Sequence, residues 1–197
     1  MSHYFTNNPE RTENRKEISF RFLTNLESFV SDDGVFSKST LDFGSRVLLE
    51  TLLSQPIRGK VLDLGCGIGY IGILLHKYRP DIELTMSDVN ETAVKLAEEN
   101  SRRYGQNNKV LVSDGFEAIE EDFDVIITNP PIRAGKKVIY SMFDQSYRHL
   151  REQGCLYIVI RQQQGAPSAI NFLKAMSDET KVIEKKNGYW IIVVKKV

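Results

Sequence analysis

From Lys60 to the end of the chain, short apolar runs alternate with amphipathic segments of helical length, and this alternation is the strongest constraint on the fold. The expected strands cover residues 61–64, 82–86, 110–112, 123–128, 156–160, 181–185 and 189–195. Strands that are separated by helices form parallel sheets with right-handed crossovers. Asn187-Gly188 is a two-residue hairpin turn between the last two strands, so one strand runs antiparallel. The sequence therefore predicts an α/β, Rossmann-like fold with a mostly parallel seven-stranded sheet and helices on both faces.

The segments between the strands carry apolar residues at helical spacing. Helices are expected over about 41–53, 70–78, 138–150 and 167–176, and another should follow Asn90, which is placed to cap it. Residues 1–16 are polar and charged and predict a loose arm. Apolar residues around 18–22, 29–30 and 35–36 predict small strands or a lid. We therefore expect an N-terminal arm with small strands over residues 1–40 and the main domain over 41–197.

Composition limits the partners of the chain. Its 197 residues include 26 basic and 26 acidic side chains, so the formal charge is zero. A nucleic-acid partner would need a local basic patch rather than a general excess of positive charge. Cys66 and Cys155 have no metal-ligand spacing with the three histidines, and no apolar run approaches the length of a membrane span. We expect a cytoplasmic monomer with free thiols, no metal and no membrane contact.

A glycine-rich loop follows the first strand of the sheet. Gly65, Gly67 and Gly69 allow the backbone to approach a ligand closely, and the loop runs into the N-terminus of a helix, where free amides favour an anion or a carboxylate. Residues 67–72 also match the dinucleotide fingerprint G-x-G-x-x-G, with Asp88 near the spacing of a ribose-binding acid. The loop alone is therefore compatible with a dinucleotide or with S-adenosylmethionine.

Charge favours S-adenosylmethionine. Asp63 lies at the end of the strand, two residues before the first glycine. A dinucleotide would bring a doubly charged pyrophosphate towards this carboxylate. S-adenosylmethionine instead brings an ammonium and a sulfonium group, which a carboxylate attracts in a cleft of low dielectric constant. The turn also begins directly after the strand at Gly65, whereas the dinucleotide fingerprint would begin two residues later.

Other polar residues at strand ends are candidate cofactor ligands. Asp88 ends the second strand and could accept hydrogen bonds from both ribose hydroxyls, although an aspartate before a helix is also a common cap. Asp114 follows the third strand and could accept from the adenine amino group while the amide of Gly115 contacts the ring, although Asp-Gly is also ordinary turn chemistry. Asn90 and Cys66 lie beside these groups, and Cys66 is expected to be a small loop residue rather than a nucleophile.

Asn129-Pro130-Pro131 directly follows the apolar strand 123–128. Parallel strands place their carboxyl ends on one edge of the sheet, so Asn129 should face whatever the glycine loop binds. Its side-chain oxygen and the Pro130 carbonyl could accept hydrogens from a planar amine and stabilise the positive charge that develops during methylation. Two prolines would keep that carbonyl fixed. The alternative is that the tripeptide only ends the strand and turns the chain.

These motifs carry a family resemblance. Residues 63–69, Asp88 and Asn129-Pro130-Pro131 resemble the class I S-adenosylmethionine-dependent methyltransferases. Residues 34–37, 41–45 and 129–136 are more specific and resemble the small-subunit ribosomal RNA guanine-N2 methyltransferases. The resemblance extends from about residue 17 to the end of the chain. It implies a class I methyltransferase fold, S-adenosylmethionine as cofactor, and ribosomal RNA or the small ribosomal subunit as partner.

The resemblance also suggests substrate-binding residues. Many amino-methylating relatives have an aromatic residue after Asn-Pro-Pro that stacks on the target base, and here that residue is Ile132. Ile132 would provide an apolar wall, and Phe36 is our candidate for the aromatic face. Arg133 and Lys136 follow the catalytic turn and could hold phosphates at the mouth of the cleft.

Three functions remain open from the sequence. The first is methylation of the exocyclic N2 amine of a guanine in small-subunit (16S) ribosomal RNA. The second keeps the cofactor but methylates a protein glutamine or an adenine, and Ile132 argues against it because those relatives usually have an aromatic residue there. The third is a non-catalytic module that binds S-adenosylmethionine or RNA, which would not require an aimed Asn-Pro-Pro.

Overall fold

A seven-stranded sheet forms the centre of the protein in a computed structural model that describes residues 14–33, 35 and 41–197. Two further strands precede it, so the strands are β1 Arg15–Phe22, β2 Asn25–Asp32, β3 Lys60–Leu64, β4 Glu83–Asp88, β5 Lys109–Val112, β6 Phe123–Thr128, β7 Leu150–Arg161, β8 Thr180–Lys186 and β9 Tyr189–Lys195. The helices are α1 Phe43–Leu53, α2 Tyr70–Tyr78, α3 Glu91–Arg103, α4 Lys136–Arg148 and α5 Ala166–Lys174. Among these helices, none combines the length and the apolar character that crossing a membrane requires.

The strand order is β5-β4-β3-β6-β7-β9-β8. Strands β3 to β7 pair in parallel, and β9 runs antiparallel to both of its neighbours. The turn between β8 and β9 has positive φ at Asn187 (49°) and Gly188 (80°), as a two-residue hairpin of type I′ requires. The predicted seven-stranded, mostly parallel sheet with one antiparallel strand is therefore confirmed.

Buried residues form one core on each face of the sheet. Neighbouring residues of β3 alternate between them, with Val61 in the core under α1, α2 and α3, and Leu62 in the core under α4 and α5. Successive side chains of a strand point to opposite faces, so a strand covered on both faces is apolar throughout. Helices therefore lie on both faces, as predicted.

The first two strands form a hairpin whose apolar side joins the core under α2 and α3. Phe29 lies 4.7 Å from the Tyr70 ring and 5.1 Å from the Tyr104 ring, measured between centroids. Glu27, only 2% exposed, pairs with Lys77 at 2.6 Å. The hairpin is longer than the small strands predicted here and includes two residues assigned to the loose arm, Arg15 and Lys16. Phe36 lies outside the described residues.

The start of one strand differs from the sequence prediction because it depends on backbone pairing rather than on a pattern of apolar residues. Strand β7 begins at Leu150 rather than at residue 156. Its polar first half contains a bulge, with Gln153 at φ 65° and a shift of register against β6 between Phe123 and Val125. A pattern of buried residues cannot show an exposed strand segment of this kind.

Strands β3 and β6 are parallel neighbours at the centre of the sheet, with Leu64 opposite Thr128. The Thr128 hydroxyl donates to the Leu64 carbonyl at 2.9 Å. From β3 the chain passes through α2 to β4 on one side, while β6 lies on the other, so strand order reverses here. Ligands of open α/β sheets bind in the crevice at such a switch point, outside the carboxyl ends of the strands.

Candidate active site

The glycine loop between β3 and α2 presents open backbone to this crevice. Gly65 and Gly67 have φ of +74° and +56°, and a Cβ added at either position would meet nothing within 4 Å. Both residues therefore need left-handed backbone, and space remains above them. The amides of Gly65 and Cys66 donate to the Ser87 carbonyl at 2.8 and 2.9 Å, which fixes the loop to the end of β4. Gly69, also left-handed, is the residue from which α2 begins.

Asp63 lies beneath the loop and is almost completely buried. Its Oδ2 accepts a hydrogen bond from the Gly72 amide at 2.9 Å. The pKa of the Asp63 carboxyl is raised to about 7, mainly by burial; the hydrogen bond from the Gly72 amide opposes this shift, and the Asp88 carboxylate adds a smaller increase. A buried carboxylate with a single donor among the described residues is a strong attractor for a cationic ligand group.

Asp88 ends β4, next to β3, and holds the loop through both carboxylate oxygens. Oδ2 accepts from the Gly67 amide at 2.8 Å and Oδ1 from the Asn90 amide at 2.9 Å. Burial raises the pKa of Asp88, and these amides oppose that shift. Each oxygen has a second lone pair, so the carboxylate can still accept from a diol. Asn90 itself caps α3, because its Oδ1 accepts from the amides of Thr92 and Ala93.

The remaining predicted cofactor residues lie around this loop and at the end of β5. Cys66 is buried, and burial raises the pKa of its thiol well above the usual value, in keeping with a structural rather than a nucleophilic role. Asp114 is exposed in the turn after β5, where its carbonyl accepts from the Glu117 amide at 3.1 Å. Gly115 follows it with φ +53°.

Asn129 begins the segment after β6 and is oriented by α1. Its Nδ2 donates to Ser45 Oγ at 3.0 Å and lies 3.5 Å from Asp42 Oδ2. Asp42 caps α1 by accepting from the Ser45 amide. No described residue donates to Asn129 Oδ1, and a reversed amide would place this oxygen against the Asp42 carboxylate. The helix terminus therefore fixes the amide so that its accepting atom remains available.

The two prolines extend this acceptor arrangement. Within the described part of the chain, no group donates to the Pro130 carbonyl, whereas the Pro131 carbonyl accepts from the Ala134 amide at 2.8 Å and begins a short 3₁₀ turn, Ile132–Ala134. Ile132 and Lys136 line a cavity of about 110 Å³ between α4 and α5. Arg133 is exposed beside it.

The structure thus brings most of the predicted residues to one edge of the sheet. Asp88 and Asp63 lie at the carboxyl ends of β4 and β3, and Asn129 directly follows β6; these three strands are adjacent and spaced at about 4.8 Å. Sequence reasoning gave no role to Ser45, although it lies in the family-like segment 41–45. It also missed Asn100, a buried residue of α3 whose Nδ2 donates to the carbonyls of Val30 and Ile68, both at 3.0 Å. Neither contact has a signal in the local sequence.

Comparison with known proteins agrees with this geometry. Residues 27–193 match the family model described as methyltransferase small domain. Protein YbxB of Bacillus subtilis is 46% identical over 99% of this chain and 98% of its own length. Ribosomal RNA small subunit methyltransferase C of Haemophilus influenzae is 41% identical over 70% of this chain and 42% of its own length.

A solved structure of a ribosomal RNA methyltransferase also matches this fold. A Thermus thermophilus 16S rRNA N2 G1207 methyltransferase, solved in complex with AdoMet and guanosine, superposes with a TM-score of 0.83 and 25% identity. This match covers 96% of the present chain and 52% of that protein. The chain thus spans about half or less of the ribosomal RNA methyltransferases that it matches. It belongs to the methyltransferase small domain family of class I S-adenosylmethionine-dependent methyltransferases.

Proposed function

We propose that this protein transfers a methyl group from S-adenosylmethionine to the exocyclic N2 amine of a guanine in small-subunit (16S) ribosomal RNA. The fixed amide of Asn129 is the observation that carries the proposal. Its Nδ2 is engaged by Ser45 at 3.0 Å, so its oxygen is the atom left to accept a hydrogen from a substrate amine. The named activities of the ribosomal RNA relatives support the choice of substrate.

The residues at the switch point fit the cofactor. Gly65 and Gly67 leave a cradle that any side chain would fill, Asp63 offers a buried negative charge to an α-ammonium group, and Asp88 can accept from the ribose hydroxyls. We place the adenine ring near Asp114 and Gly115, beyond the end of β5. When bound, S-adenosylmethionine supplies a methyl group on a positively charged sulfur, ready for transfer to a nucleophile.

Asn129 and Pro130 would act on the nucleophile. The lone pair of the guanine amine is delocalised into the ring, so the nitrogen is a poor nucleophile. Two acceptors, Asn129 Oδ1 and the Pro130 carbonyl, would bind its hydrogens and favour a pyramidal nitrogen. They would also stabilise the positive charge that develops on it, which is electrostatic stabilisation by groups held in place before the reaction. The methylated nitrogen would then release one of its hydrogens as a proton to solvent and become a neutral secondary amine. Asn129 and the rigid proline backbone would thus contribute alignment and electrostatic stabilisation, and the reaction would need no covalent intermediate with the enzyme.

Residues after the turn would position the base and the RNA. Ile132 forms part of an apolar wall beside the cleft, and it contacts the core under α4 and α5. Arg133 and Lys136 are exposed and form no ion pair with any described residue, so they remain available for phosphates. We assign them to RNA binding on this basis.

The test is to incubate the protein with labelled S-adenosylmethionine and small-subunit RNA from cells that lack it, then identify the labelled nucleoside by mass spectrometry. N2-methylguanosine is the expected product. Label in methyladenosine, or in a glutamine of a ribosomal protein when whole subunits are used, would reject the guanine assignment. Either result would still identify the protein as a methyltransferase, with a different substrate.

A variant of Asn129 distinguishes an enzyme from a binding module. Asn129→Ala should retain cofactor affinity and lower kcat by about 10²–10³, the usual effect of removing one preorganised group that stabilises developing charge. Asn107→Ala, an exposed asparagine before β5, is the matched control. If Asn129→Ala supports wild-type turnover, the catalytic role is wrong. If the variant lacks turnover but keeps equal RNA binding and an equal biological effect, the binding module is favoured over the enzyme.

A further inference from the structure

An aromatic and basic surface lies beside the candidate active site. The Phe43 side chain is 36% exposed at the start of α1, and its ring centroid lies 5.7 Å from that of Tyr189. The guanidinium carbon of Arg161 lies 5.7 Å from the centroid of the Tyr189 ring. These three residues, Phe43, Tyr189 and Arg161, form a continuous group that we call the aromatic ledge.

The aromatic ledge lies on the same edge of the sheet as the active site. Arg161 is the last residue of β7, and Tyr189, the first residue of the antiparallel β9, lies opposite it in the register. Since β6 and β7 are parallel, this is the edge on which Asn129 follows β6. The order β6-β7-β9 separates Tyr189 laterally from β6 by two strand spacings, or about 10 Å. Arg161 lies three residues beyond Ile158, the partner of Thr128, so the aromatic ledge also extends about 10 Å past the end of β6.

Packing holds the aromatic ledge in a fixed position. A Cβ added to Gly44 would lie 2.7 Å from Cε1 of Tyr189, so the tyrosine ring rests directly on the backbone of α1. The amide of Gln162 donates to the Gly188 carbonyl at 2.7 Å and ties the β8–β9 turn to the end of β7. An aromatic surface with little freedom to move loses little conformational entropy when a ligand binds.

The aromatic ledge also lies next to a residue that contacts Asn129. Phe43 directly follows Asp42, whose carboxylate lies 3.5 Å from Asn129 Nδ2. The Phe43 ring itself turns towards β9 and Tyr189 rather than towards β6. The aromatic ledge therefore lies next to the expected position of the target amine and does not form part of its pocket.

Charge around the aromatic ledge identifies the kind of partner. Arg161, the cation of the aromatic ledge, is exposed and forms no ion pair with any residue in the described ranges, although the chain as a whole has zero formal charge. Exposed aromatic faces interleaved with unneutralised cations are typical of surfaces that bind single-stranded nucleic acid.

We propose that the aromatic ledge binds a nucleotide of single-stranded RNA that flanks the target guanine. Its base stacks on Phe43, and Arg161 contacts its phosphate. This proposal rests on the function proposed above. It deepens that function by assigning a flanking-nucleotide site and by supplying, outside residues 132–136, an aromatic face that Ile132 cannot provide.

The test compares variants of the aromatic ledge on one RNA oligonucleotide that contains the methylated guanine and its flanking nucleotides. Phe43→Ala should raise KM for this RNA by about five- to a hundred-fold, the usual effect of losing one stacked base, while cofactor affinity stays unchanged. Phe43→Tyr should restore most of the affinity because it keeps an aromatic face. Arg161→Gln should lower the slope of log K against log salt by about one.

Two controls and two outcomes separate this inference from the proposed function. Arg58→Gln, an exposed cation just before the start of β3 on the opposite edge of the sheet, and Leu26→Ala, 69% exposed on the hairpin, should leave RNA binding unchanged. Wild-type affinity and KM in both Phe43→Ala and Arg161→Gln would overturn the aromatic ledge and leave RNA methylation intact. If the wild-type protein methylates no RNA, both proposals fail before any variant is made.

Discussion

Ser45 should affect turnover through Asn129, although we assign it no contact with the cofactor or the substrate. Its Oγ accepts from Asn129 Nδ2 at 3.0 Å, and the residue is 6% exposed. In Ser45→Ala this hydrogen bond is lost, and Asn129 retains only the longer 3.5 Å contact with Asp42. A neutral buried hydrogen bond contributes about 0.5–1.5 kcal/mol, so we expect kcat to fall about two- to ten-fold through a less well aimed amide.

The assay should separate positioning from folding and from cofactor binding. Single-turnover transfer of labelled methyl to RNA measures the chemical step, calorimetric titration measures cofactor affinity, and urea unfolding measures stability. We expect the first to change and the second to stay within about two-fold. Ser54→Ala is a matched control, because Ser54 lies at the other end of α1, where its hydroxyl donates to the Thr51 carbonyl at 2.7 Å and accepts from Gln55 Nε2 at 3.3 Å.

One result would refute the reasoning about Ser45. If Ser45→Ala transfers methyl at the wild-type rate, the orientation of the Asn129 amide does not depend on α1. An equal loss of rate in Ser54→Ala would point instead to a general effect of helix stability. A loss in Ser45→Ala alone, with Asn129→Ala slower by at least a further ten-fold, would agree with a positioning role.

Two further predictions concern the cofactor loop. Because burial raises the pKa of Asp63 to about 7, the carboxyl is mostly protonated at pH 6 in the free protein, and a cationic ligand group should make it release a proton. The calorimetric enthalpy of cofactor binding should therefore depend on the buffer at pH 6, with release of a proton, and Asp63→Asn should remove most of this dependence. Asn100→Leu should lower the free energy of unfolding by about 1–3 kcal/mol and weaken cofactor binding, because the Val30 and Ile68 carbonyls lose a buried donor. Unchanged stability in urea would contradict this role.

Strong local patterns allowed much of the fold to be predicted from the sequence. Strands 123–128 and 189–195 have the predicted bounds because apolar runs stand between clear breaks, and helix 70–78 ends where Pro80 follows. Helix α4 begins at Lys136 rather than at residue 138, since Gly135, with φ +91°, ends the preceding turn. Periodicity indicates which residues face the core, and it carries less information on where an exposed turn begins.

The candidate site was predictable only where its residues stand next to strands. Asp63, Asp88 and Asn129 each directly end or follow a buried run, so the edge of a parallel sheet brings them together without further information. Ser45 reaches Asn129 across 84 positions of the chain, and Asn100 reaches Val30 across 70. Contacts of this length depend on how α1 and α3 pack, which no local spacing encodes.

The structure also explains why residues 67–72 match the dinucleotide fingerprint. The third glycine of that motif permits close packing of a helix on a strand. Gly72 does the same here, since an added Cβ would lie 3.0 Å from Asp63 Oδ2 and 3.1 Å from the Met86 sulfur. The Gly72 amide also donates to Asp63 Oδ2 at 2.9 Å. The close approach of α2 to β3 therefore fixes a carboxylate that would repel a pyrophosphate. Gly72 thus matches the fingerprint because its amide must reach the Asp63 carboxylate, and that carboxylate favours a cationic ligand. Gly65, which is not part of the fingerprint, begins the loop at the end of β3.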